Sequence, residues 1–111
     1  MSQNVFVKSG RVTDLLSGAT STVTGDWMFK DAPNTGIQAT VSGTGAVTAT
    51  VVIEVSNDGV NAVATPAGTI TLSGTTSASD GFVMDAAWKF VRARISAISG
   101  TGATVNVSQC A

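Results

Sequence analysis

The chain has 111 residues, of which 43% are hydrophobic and only 12% are charged, and its formal net charge is −1. This length predicts a single domain over residues 1–111 with one hydrophobic core, and the near-neutral charge argues against nucleic acid or an anionic membrane surface as a partner. No apolar run approaches the roughly 18 residues of a membrane-spanning helix, and the amino terminus lacks a basic start followed by an apolar stretch, so we expect neither a membrane anchor nor a signal peptide.

Hydrophobic and polar residues alternate along most of the chain, which is the pattern of strands that bury one face. Residues 13–18 offer at most one helical turn, and no helix is predicted elsewhere. Strands are predicted in "GIQATVS" (36–42), "AVTATVVIEVS" (46–56), "TITLS" (69–73) and "ATVNVS" (103–108). The longest of them has an apolar face made of Val47, Ala49, Val51, Ile53 and Val55.

Segments rich in Gly, Ser, Asn and Asp separate these runs and are predicted to be loops. Among them, "SNDG" is predicted to be a tight turn with Gly59 at a positive φ. Strands at a spacing of about 8 to 14 residues with such loops predict an all-β fold, either a sandwich or a barrel. The predicted loops are "SGTG" at 42–45 and again at 99–102, "SNDG" at 56–59, "TPAG" at 65–68 and "SASDG" at 77–81.

The segment 88–97 concentrates three of the six basic residues of the chain on one predicted strand. Alternation gives this strand an aliphatic inner face and an aromatic and basic outer face. The inner face is formed by Val91, Ala93, Ile95 and Ala97, with Lys89 at its margin. The outer face is formed by Trp88, Phe90, Arg92 and Arg94.

Two interpretations of this outer row stay open. In the first, Trp88 and Phe90 tuck under a loop while the arginines form surface ion pairs with Asp80, Asp85 or Glu54. In the second, the row contacts a partner, because Trp, Phe and Arg are the residue types enriched among interface anchors.

The inventory of reactive side chains predicts a protein that is not an enzyme and has no cofactor or metal. Histidine is absent, which removes the common nucleophilic triads and the commonest zinc ligand. Asn57, Asp58 and Asn61 carry oxygen atoms that suit a cation, but a turn explains them better. The single thiol, Cys110, has no partner for a disulfide within the chain, so we expect the fold not to depend on oxidation.

"VVIEVSNDGVN" (51–61) followed by "WKFVRARIS" (88–96) resembles the discoidin-type, galactose-binding-like jelly roll. In that family a long strand ends in a turn of this kind, and a later strand carries an aromatic-Val-Arg pattern. This resemblance implies the sandwich rather than the barrel: a single antiparallel β-sandwich that is jelly-roll-like. The ligand-binding loops of the family have no recognisable counterpart in this chain.

The composition, rich in Thr, Ala, Gly and Val without His or Tyr, is similar to that of small bacteriophage virion proteins. Together with "SNDG" and "FVRARISAISGTGATVNV", it resembles the jelly-roll decoration (cement or staple) proteins of tailed-phage capsids. This resemblance implies a protein made in the host cytoplasm that binds the major capsid protein on the outer surface of the virion and reinforces the shell.

In that role we expect contacts from Trp88, Phe90, Arg92 and Arg94 and from an amino-terminal segment that is free to extend along a neighbour, Val5, Phe6, Val7 and Lys8. A homodimer on the shell is a further expectation, since open sheet edges can pair. Two alternatives stay open: a carbohydrate- or receptor-binding jelly-roll module, and another virion component of the tail or head–tail junction.

Overall fold

A computed structural model describes residues 12–30, 34–85 and 87–110 of the chain. All regular structure in these ranges is β, which confirms the prediction of an all-β fold. Residues 13–18, for which at most one helical turn was expected, lie in the first strand. The strands are β1 (Val12–Ala19), β2 (Val23–Thr24), β3 (Met28–Phe29), β4 (Asn34–Ser56), β5 (Gly68–Asp85) and β6 (Phe90–Cys110).

The strands form one antiparallel sheet in the order β1-β6-β4-β5, and the short strands β2 and β3 also pair with β6. β4 lies at the centre and pairs with β5 on one side and with β6 on the other over almost its whole length. Most described backbone groups of β4 therefore have partners within the sheet, whereas β1 and β5 are the outermost strands among the described residues.

This single sheet folds over on itself. A straight strand of 23 residues would measure about 75 Å, but the longest dimension of the molecule is 44 Å. β5 ends at Asp85 beside Asn34, and β6 begins at Phe90 beside Ser56. Asp85 and Phe90 are only five positions apart in the sequence, so the two ends of β4 lie close together. The predicted sandwich is thus made from halves of the same long strands rather than from two separate sheets.

We call the two halves the first and second layers. The first layer contains β1, the first half of β4 and the second halves of β5 and β6. The second layer contains β2, β3, the second half of β4 and the first halves of β5 and β6. The bend between them lies near 42–46 of β4 and 99–104 of β6, where the strand pairing shifts register.

Three of the predicted loops are therefore wrong: 42–45, 77–81 and 99–102 all lie inside strands. The two "SGTG" segments supply the bend, because glycine adopts backbone angles that let a strand turn sharply without leaving the sheet. Gly100 has a φ of +126°, and a Cβ placed there would lie 2.8 Å from the Ala46 carbonyl oxygen. Segment 77–81 has loop composition, yet it pairs regularly with β4.

The core lies between the two layers and is built from small and medium aliphatic side chains. The predicted apolar face of 46–56 is buried, as are Val91, Ala93 and Ile95. The prediction is wrong for Ala97, which is exposed. A register shift places Ile95 opposite Val51 but Ala97 opposite Thr50, so the extra residue between them reverses the alternation.

Candidate docking surface

Aromatic and charged side chains gather on the outer face of the second layer, where β6 begins. The pairing of β6 with β3 and β4 places Phe29 opposite Phe90, and Arg92 opposite Glu54. Because paired residues point to the same side of a sheet, these side chains share one face. We call Trp27, Phe29, Glu54, Phe90, Arg92 and Arg94 the aromatic–arginine cluster.

Glu54 holds both arginines of this cluster. Arg92 Nε donates a hydrogen bond of 2.7 Å to Glu54 Oε1, and Arg94 Nε lies 3.4 Å from Oε2. The Glu54 side chain is 14% exposed and those of Arg92 and Arg94 are 22% and 38% exposed. Both arginines thus form the expected surface ion pairs, and their partner is Glu54. At such exposure these pairs contribute about 1 kcal/mol or less to stability, so their main effect is to fix the guanidinium groups in position.

Two aromatic contacts complete the cluster. The guanidinium carbon of Arg92 lies 4.3 Å from the centre of the Trp27 ring, a cation–π contact. Phe29 and Phe90 stack with their ring centres 4.9 Å apart. Phe29 is nevertheless 62% exposed, which leaves a large apolar surface in water beside the arginines.

Trp27 and Phe29 were missed as site residues by the sequence reasoning. Trp27 lies outside any strand, and Phe29 belongs to β3, which has only two residues, so neither position shows alternation. The available signal was the Trp-Met-Phe triplet at 27–29, two large aromatics in a chain with 5% aromatic residues.

The arrangement leaves hydrogen-bond donors for a partner. Each guanidinium group has five N–H donors, and the bonds to Glu54 use the Nε of each arginine. Within the described ranges, the terminal nitrogens of Arg92 and Arg94 have no hydrogen bond to the protein. The cluster therefore presents two oriented cationic groups beside an exposed aromatic ring, which suits carboxylate or carbonyl oxygens on an opposing surface.

The structure places the other predicted contact residues differently. Trp88 precedes β6, is half-buried and packs against the core, whereas Phe90 lies in the cluster. Val5, Phe6, Val7 and Lys8 lie outside the described residues.

The predicted tight turn is present, with Gly59 at a φ of +70°. The backbone N–H groups of Val60 and Asn61 and the hydroxyl of Ser56 all donate to Asp58 Oδ1, at 2.7–2.9 Å. These bonds hold the pKa of Asp58 well below its usual range. The Asp58 carboxylate is thus engaged in hydrogen bonds within the turn. The described ranges contain no group of three or more side chains that could hold a metal ion.

A shallow groove of about 660 Å³ lies on the outer face of the first layer. Its floor includes Gly36, where an added Cβ would meet nothing closer than 3.9 Å. Exposed Val12 and Val83 line it, together with Asp80 and the exposed Cys110. The groove and the aromatic–arginine cluster thus occupy the outer faces of different layers.

Comparison with known proteins identifies a shared fold. No protein-family model matches the chain, and no curated protein matches it in sequence. The crystal structure of the SPBc2 prophage-derived protein YomS is similar over 96% of this chain and 97% of that one, with a TM-score of 0.56 and 16% sequence identity. None of the described residues forms a helix that would cross a membrane.

Proposed function

We propose that this protein is a structural virion protein that binds the outside of an assembled phage capsid and stabilises it. The observation that carries the proposal is the aromatic–arginine cluster, a fixed set of cationic and aromatic groups on an otherwise charge-poor surface. Two further observations favour a phage origin: the composition resembles that of virion proteins, and the fold is shared with a prophage-derived protein.

Docking through this cluster needs little reorganisation. Glu54 and Trp27 already hold Arg92, so little side-chain entropy is lost when its terminal nitrogens bind a partner. Phe29 adds apolar area that becomes buried only on contact. The surface opposite would carry carboxylate or backbone carbonyl oxygens around an apolar patch.

The rest of the surface suits burial against a shell. Exposed positions of β4 and β5 are mostly Thr and Ser, including Thr48, Thr69 and Thr71. Hydroxyl groups cost much less to remove from water than charges do. Many copies bound side by side then bridge capsid subunits, and the contacts reinforce one another through avidity.

Binding of the purified protein to shells tests the proposal. The probe is the full chain, and the target is capsids from a phage of the same source that lack this protein, separated by sedimentation. We expect saturable binding to the shells and none above background to intact host cells. Binding to the cells alone would contradict the proposal.

The groove of the first layer favours a second candidate, a carbohydrate- or receptor-binding module. Gln38, Ser79 and Asp80 offer polar groups beside Phe82 along the groove, a combination that small ligands use for orientation. Binding to host cells in the same experiment, competed by soluble host glycan, is the outcome that this candidate predicts.

A further inference from the structure

The two edges of the sheet are built differently. β1 has eight residues, carries Asp14, and pairs with β6 through two register shifts. Short length, charge and irregular pairing are features that keep an edge strand from pairing with another chain. In the described part of the chain, β5 is the opposite edge, and it runs for 18 residues.

The first half of β5 lacks the charge and the irregular pairing that protect β1, and it belongs to a strand of 18 residues. Residues 68–75 contain no charged residue and no proline, and they pair with β4 without a register shift from Gly68 to Thr75. Both acidic residues of β5, Asp80 and Asp85, lie in its second half. Thr76, with a φ of +67°, separates the two halves.

We propose that the first half of β5 pairs antiparallel with the same segment of a second copy of this chain. Alternate side chains of this segment are outward and uncharged, and the others, Ile70 and Leu72, point into the core. In the pair, polar uncharged side chains of one copy lie beside those of the other on the outer face, and apolar side chains lie beside apolar ones on the inner face. The pairing therefore buries no charge. The outward side chains are Thr69, Thr71, Ser73 and Thr75, all exposed.

The neutral first half of β5 suits pairing between two copies better than its charged second half does. Pairing through 77–85 places carboxylates of the two copies on neighbouring strands, where like charges destabilise the pair. Pairing through 69–75 brings no such charges together. The occupant is therefore the same neutral segment related by two-fold symmetry, which is the commonest symmetry of homo-oligomers.

The dimer has a consequence that rests on the proposed function. Thr69 pairs with Val52, which pairs with Arg94, so Thr69 and the aromatic–arginine cluster share one face of the sheet. The two-fold axis between identical antiparallel strands is perpendicular to the sheet. Both clusters of the dimer therefore face the same way and form a bivalent docking surface.

One strand pair is a small contact beside the about 1,200–2,000 Å² of stable interfaces. We therefore expect weak, concentration-dependent association in solution. Side by side on a shell, two copies experience an effective concentration in the millimolar range, which populates the dimer.

Sedimentation equilibrium of the full chain over micromolar to millimolar concentrations tests the proposal. Thr71→Lys and Thr71→Asp each place like charges close to the two-fold axis, and we expect each to weaken association at least about tenfold. An equimolar mixture of the two variants should restore association, since opposite charges then meet.

Ser17→Lys, on the exposed edge strand β1, is the matched control and should leave association unchanged. Thermal unfolding verifies that each variant is folded. A wild-type chain that stays monomeric, variants that associate as the control does, or a mixture that does not recover would each overturn the proposal. The measurement involves no capsid, so its failure is distinct from failure of capsid binding.

Discussion

Replacing both Arg92 and Arg94 with alanine is expected to lower the affinity for capsid shells by at least about 100-fold, or about 3 kcal/mol. The change removes the two cationic groups that Glu54 holds at the surface and leaves that carboxylate without its partners. An unpaired acid would then face the acceptor oxygens of the capsid, so the variant gains repulsion as well as losing attraction.

Two control variants separate this effect from a change in net charge. Lys89→Ala removes an exposed cation outside the cluster and should bind like the wild type. Arg92→Lys with Arg94→Lys keeps the charge but loses the planar group that stacks on Trp27, and we expect intermediate binding. If the double alanine variant occupies shells as the wild type does, the cluster is not the docking surface.

Replacing Gly100 with alanine is expected to lower the free energy of unfolding by about 3 kcal/mol. The φ of +126° is unfavourable for a residue with a side chain. The new Cβ would also lie 2.8 Å from the Ala46 carbonyl oxygen and 2.9 Å from Val47 Cγ1. The bend that joins the two layers has to shift to accept it, and denaturant unfolding followed by circular dichroism measures the loss.

Gly45→Ala is the matched control in the same bend. Gly45 also has a positive φ, +75°, but no atom lies within 4 Å of an added Cβ. Its cost is therefore the backbone strain alone, about 1 kcal/mol. Equal losses for the two variants would show that crowding at Gly100 does not constrain the bend.

The alternation of side chains was enough to predict the fold class and most of the core. Ile53 and Val55 are buried, and so are Val105 and Val107, because a buried face requires every second residue to be apolar. Composition could not distinguish a loop from a bend inside a strand. The two "SGTG" segments have turn residues, yet pairing with neighbouring strands keeps them in the sheet.

Alternation along the sequence predicted the part of the candidate site that lies on β6, but not the part that comes from residues 27–29. Phe90, Arg92 and Arg94 follow one another at every second residue, so the sequence placed them on one face. Trp27 and Phe29 come from a distant segment, and their positions depend on how that segment pairs with β6. Alternation shows which side chains of one strand share a face, but not which distant strand it pairs with or in which register.

The copy number of this chain in purified phage particles tests the central claim most directly. Quantitative mass spectrometry against the major capsid protein gives the ratio. We predict about one copy for every one or two capsid subunits, since reinforcement of the whole shell by avidity needs most sites to be filled. A few copies per particle would instead place the protein in the tail or the head–tail junction, and its absence from the particle would contradict a virion role altogether.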